Sequence, residues 1–130
     1  MTYHISKTIS ASFDEAVAAV IEGLKKEGFG VLTDIDVKET LKKKLDVDFR
    51  RYRILGACNP SFAYKALTLE DNIGTMLPCN VIVQERGPGV VEVSAVDPIA
   101  SMMAIENESL GDIAKQVREK LRKVIENLPA

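Results

Sequence analysis

Apolar and polar positions alternate and then lengthen their period in a readable order along this chain. Tyr3, Ile5 and Ile9 stand among polar residues in a period-two run that predicts a first strand. Ser12 with Glu15 then has the spacing of a capping box. Phe13, Val17, Val20, Ile21 and Leu24 share one helical stripe, with Lys25, Lys26 and Glu27 at its end and Gly28 able to adopt a left-handed C-cap. A helix is predicted over 12–27.

From Gly30 to Val37 the run is β-branched and alternating, which predicts a second strand. Val37, Leu41 and Leu45 predict a short helix with a lysine-rich outer face, and 49–58 reads as a third strand whose apolar finish, Ile54 to Cys58, implies burial at that end. Asn59-Pro60 has the order of an N-cap followed by a first helical residue, and Phe62, Ala63, Ala66 and Leu67 supply a packing face. After a loop at Asp71-Asn72-Ile73-Gly74, Pro78 opens a strand over 79–86. Gly87-Pro88-Gly89 turns it into another over 90–96, a hairpin. Asp97-Pro98 reads as a turn. The final helix keeps Leu110, Ile113, Ala114, Val117, Leu121, Val124, Ile125 and Leu128 on one stripe, with Glu119 and Lys123 paired on its wet side.

The order β-α-β-α-β-α-β-β-α lacks uniform βαβ repeats, so it favours an α+β two-layer sandwich over a doubly wound parallel sheet. Its 130 residues fit one domain, 1–130, with no linker or internal repeat.

The composition, 46% hydrophobic and 28% charged, is that of a soluble globular domain. A net charge of -2 gives no general attraction to nucleic acid or anionic lipid. Between Lys38 and Arg53 seven basic residues meet three acidic ones, with Phe49 and Tyr52 interleaved, and this stretch reads as a solvated face rather than a nucleic-acid patch. Neither a leader-like start nor a run of membrane-spanning length is evident, so a cytoplasmic protein with reduced thiols is expected.

The run Arg53-Ile54-Leu55-Gly56-Ala57-Cys58-Asn59-Pro60, followed by Ala63, Ala66-Leu67, Ile73-Gly74 and Leu77-Pro78-Cys79-Asn80-Val81, resembles the hallmark of the bacterial and archaeal family called domain of unknown function 302. Phe29-Gly30-Val31-Leu32 and Asp36-Val37-Lys38 are similar to it as well. The resemblance implies a fold like that of the TATA-binding protein, with a curved, mainly antiparallel sheet of about five strands and helices on one face. It also implies a homodimer. It implies no established activity.

The candidate chemistry centres on two Cys-Asn pairs, Cys58-Asn59 and Cys79-Asn80, which hold both cysteines. In an antiparallel sheet the end of the third strand and the start of the fourth lie together, so both thiols are expected at one end. Each thiol reads either as a small core hydrophobe or as part of a site. The helix after Asn59 would activate Cys58 as a nucleophile or attract an anion through its free N–H groups and positive end. Asn59 reads as a cap, and Asn80, in a strand where Asn is depleted, as a ligand contact or a backbone tie.

Metal is not expected. Zinc wants four Cys or His ligands, whereas the chain has two cysteines and His4. A soft copper(I) set of both cysteines with Met76, Met102 or Met103 is countered by the usual packing role of methionine. His4, the single histidine, reads as an edge-strand residue rather than a catalytic base, and no glycine spacing matches a phosphate cradle. No cofactor is assigned.

These observations lead to a module that binds a small polar or anionic ligand at Cys58, Asn59, Cys79 and Asn80. Two alternatives stand beside it: a thiol-dependent redox sensor or enzyme using Cys58, and a dimeric assembly or scaffold protein without a small-molecule site.

Overall fold

In the computed structural model, which describes residues 2–129, five strands form one antiparallel sheet in the order β1-β5-β4-β3-β2. The strands are β1 (His4–Ser10), β2 (Gly30–Asp36), β3 (Tyr52–Cys58), β4 (Cys79–Gly87) and β5 (Val90–Val96). The helices are α1 (Phe13–Lys26), α2 (Val37–Leu45), α3 (Pro60–Leu69), the single turn α4 (Pro98–Ser101) and α5 (Glu108–Glu126). This is the expected α+β sandwich with an open sheet.

Local chemistry fixes the elements that matter for the site. Ser12 accepts from the Glu15 backbone N–H while Glu15 accepts from the Ser12 N–H, so two of the free donors at the start of α1 are satisfied together. At its other end Gly28 adopts φ 87°, where a side chain would strain the backbone. Gly28 N–H donates to Lys25 O and Phe29 N–H to Leu24 O, which reverses the chain and delivers Phe29 into the core.

One face of the sheet is covered. Leu55, Ala57, Val81, Val83, Val91, Val93 and Ala95 alternate along β3, β4 and β5 and join one core with Val20 and Leu24 of α1 and Leu121 and Ile125 of α5. A smaller core of Ala66, Ile73 and Leu110 sits where α3, a 3-10 turn (Asp71–Met76) and the start of α5 meet. The opposite sheet face carries the transverse row Ile35, Ile54, Ile82, Ser94 and Ser6.

Several local expectations change. Tyr52, not Phe49, opens β3, because residues 49–51 carry the chain back from α2, with the Phe49 carbonyl accepting from Lys38 Nζ at 2.8 Å. Asp97 does more than turn: it caps α4 by accepting from the Ile99 N–H and pairs with Arg118 of α5 at 3.0 Å. On α5, Glu119 pairs with Arg122 rather than Lys123, and Arg122 also reaches Glu126 at 2.5 Å. Spacings of three and four are both geometrically open on a helix, and the guanidinium can engage two carboxylates where an ammonium is a point charge. Of the apolar positions of α2, Val37 and Leu41 are half-buried and Leu45 is exposed.

Candidate functional site

The candidate site forms where the two cores fail to merge. Between them lies a cavity of about 320 Å³, walled by Phe29, Ala57 and Val117 from the main core and by Ala66, Leu77 and Met102 from the smaller one. Leu32 and Leu67, 70% and 43% exposed, stand at its mouth. Leu32 is pushed outward by an irregularity in the β2 pairing, where Val31 faces Ala57 but Thr33 already faces Gly56. Gly56 is itself required there. A Cβ would collide with Thr33 and lie 2.7 Å from Pro78 Cγ, so glycine lets both cover the strand.

Three of the four expected site residues line this cavity. Cys79 opens β4 directly opposite Ala57, and Cys58 follows Ala57 at the end of β3, so both thiols occupy one end of the sheet. Cys79 is buried and Cys58 half-buried. Loss of thiolate hydration on burial, reinforced by the neighbouring Cys58, pushes the Cys79 thiol up to about 11, which keeps it protonated at neutral pH.

Asn59 occupies the cap position of α3 with extended backbone, yet its side chain accepts no cap bond. Instead Nδ2 donates to Glu27 O at 3.4 Å, tying the start of α3 to the end of α1. The cap expected at this position is therefore absent. A competing backbone acceptor at the end of α1 takes the amide. Gly28 permits that approach, since a Cβ at 28 would lie 3.2 Å from the amide nitrogen.

Asn80 does not line the cavity. Successive strand residues face opposite sides, so burying Cys79 turns Asn80 outward, opposite Gly56, where it is exposed. The two Cys-Asn pairs thus do not form one constellation of four side chains.

The wall itself is mostly apolar. No acidic or basic side chain lines it; Thr33 and Asn59 supply its only polar side chains besides the thiols. Among the described residues no buried side-chain nitrogen or oxygen lacks a hydrogen-bond partner, so no stranded polar atom marks a polar ligand's position. Nor do three or more His, Cys, Asp or Glu residues gather there into a metal-binding group. Met102 does lie on the wall.

Sequence reasoning did not place Phe29, Ile113 or Val117 at the site. Phe29 had a signal in the Gly28 reversal, but the two α5 residues are indistinguishable by periodicity from the rest of their stripe. His4 lies exposed on β1, with Nδ1 2.6 Å from Ser6 Oγ, and does not line the cavity. Among the described residues no helix is long and apolar enough to cross a membrane.

Fold and cavity together define an α+β sandwich with an apolar recess at one end of an open antiparallel sheet. The chain belongs to the family Domain of unknown function DUF302, whose sequence model matches residues 5–128. It is similar in structure to the uncharacterized conserved protein DUF302 from Bacillus stearothermophilus, with 28% identity and a TM-score of 0.89 over 97% of this chain and 98% of that one. No curated protein matches it.

Proposed function

We propose that this protein binds a small apolar or amphipathic molecule in the recess between its two cores. The observation that carries the reading is a cavity of about 320 Å³ without a charged side chain on its wall. Water gains little there, because an ordered water needs two to four polar partners, whereas a hydrocarbon group recovers dispersion contacts along the whole wall. The volume accommodates about ten groups of water size, at roughly 30 Å³ each.

A ligand with a formal charge buried at the wall would lose its hydration without finding a counter-ion. An apolar body with one polar end avoids that cost by leaving the polar end near Thr33 or at the mouth. This reading departs from the polar or anionic ligand expected from the two Cys-Asn pairs and the start of α3.

The test is calorimetric titration with octan-1-ol. For about nine non-hydrogen atoms at roughly 0.6 kcal/mol each, within the usual range of ligand efficiencies, a dissociation constant on the order of 0.1 mM is expected. Binding at 1:1 with a negative heat-capacity change is the predicted result. Ala63→Phe, which projects a ring from the α3 wall, should weaken it at least tenfold while leaving the circular dichroism spectrum unchanged. Absence of saturable binding, or equal affinity in a folded Ala63→Phe protein, overturns the proposal.

A further inference from the structure

The wall of the recess is not uniform. Its polar side chains gather at the sheet end where β3 passes into α3: Thr33 lies against Gly56, Cys79 pairs with Ala57, and Cys58 and Asn59 follow in the chain. The helical side is apolar, with Ala66 of α3, Met102 after α4, and Ile113 and Val117 of α5. A ligand that spans the recess therefore meets uncharged polar groups at one end and hydrocarbon at the other.

The polar end offers donors and a nucleophile. With the Asn59 amide engaged by Glu27 O, α3 has no side-chain cap, so the bond that would occupy the N–H of Ser61 or Phe62 is not made. Those N–H groups and the Thr33 hydroxyl suit an uncharged oxygen acceptor such as a carbonyl. The two thiols divide the remaining chemistry. Cys79, 9% exposed, keeps its proton at neutral pH, whereas Cys58 is half-buried and lines the same space. No carboxylate or imidazole on the wall could activate a water, which leaves the soft sulfur of Cys58 as the group able to form a bond to carbon.

On the footing of the binding role proposed for the recess, we infer that its ligands are medium-chain α,β-unsaturated carbonyl compounds, which Cys58 captures by conjugate addition. The Cys58 sulfur, its proton released to solvent, bonds to the β-carbon. The π pair of the C=C bond shifts to form an enolate, whose oxygen carries the charge that the Thr33 hydroxyl and the N–H groups at the start of α3 stabilise. A proton from solvent then reaches the α-carbon. The product is a thioether, with no leaving group and with no oxidant or reductant consumed. The alkyl chain of the ligand lies toward α5, which is why chain length sets the rate.

Oct-1-en-3-one is the probe, with but-3-en-2-one as its short analogue, and intact-mass spectrometry with peptide mapping follows the adduct. It should form at Cys58, at a rate that saturates with probe concentration and falls when octan-1-ol competes. Below saturation the long probe should react roughly tenfold faster than the short one, or more, because its extra methylenes enter the recess. Cys58→Ala, with folding checked by circular dichroism, should lose the adduct. Octan-1-ol titration of the wild type separates two failures. Saturable octan-1-ol binding with no adduct at Cys58, with equal rates for the two probes, or with a folded Cys58→Ala protein labelled as before overturns the inference alone. Absence of octan-1-ol binding overturns the binding role beneath it as well.

Discussion

The β2–β3 hairpin ends in two opposite environments. At one end Ala57 and Cys58 lead into an uncharged cavity closed by α3; at the other, α2 has no buried residue and is dressed with ion pairs, Lys43 with Glu39 at 2.7 Å and Lys42 with Asp46 at 2.9 Å. Yet α2 repeats Val37, Leu41 and Leu45 at the spacing that in α1 marks buried positions. Periodicity identifies residues that share a face. Whether anything lies across that face depends on what packs there: α1 lies against β2, β4, β5 and α5, whereas α2 packs chiefly against β2 and β3.

The sharpest way to break this contrast is to truncate a leucine at each end. Leu55→Ala, at a fully buried position of β3, should cost about 2–5 kcal/mol in denaturant unfolding because the cavity left behind collapses only in part. An effect below about 1 kcal/mol would show that the core beside the recess is already loose.

Next in size is an alkaline effect confined to the cavity end. In the fold the Cys79 thiol is pushed up to about 11 from an ordinary 9.0, so the unfolded chain loses its proton first as pH rises. The stabilisation is complete below about pH 9 and is lost between about 9 and 11, amounting to about 2–3 kcal/mol. Unfolding free energies measured from pH 7 to 11 should fall by that much more in the wild type than in Cys79→Ala. Parallel pH profiles would show that Cys79 is more hydrated than its burial indicates.

The smallest effect belongs to α2. Leu45, 65% exposed, has little to lose, so Leu45→Ala should change unfolding by no more than about 0.5 kcal/mol. A larger loss, especially one that depends on protein concentration, would reveal a partner over α2.

Much of the fold was legible because its signals are local. The Ser12 and Glu15 box, the Gly28 reversal, the hairpin at residues 87–89 and the long α5 stripe each arise within a few turns of chain, and each appears where spacing predicts it. Short elements were less visible: α4 and the 3-10 turn are one or two turns long and leave no period to detect. The site was legible only in part. That Cys58 and Cys79 share one end of the sheet follows from antiparallel pairing, but the face each asparagine takes depends on register and on competing acceptors such as Glu27 O. The cavity itself joins residues as distant as Phe29 and Val117 around a packing defect, and no local pattern encodes an absence of atoms.

The most direct measurement of the central claim is a titration of ¹⁵N-labelled protein with octan-1-ol, followed by backbone amide shifts. Saturable shifts are expected at Cys58, Ala66, Cys79 and Val117 around the recess, with Lys42 and Leu45 of α2 unmoved. Shifts that never saturate, or that centre on α2 while the cavity residues stay still, would contradict the account.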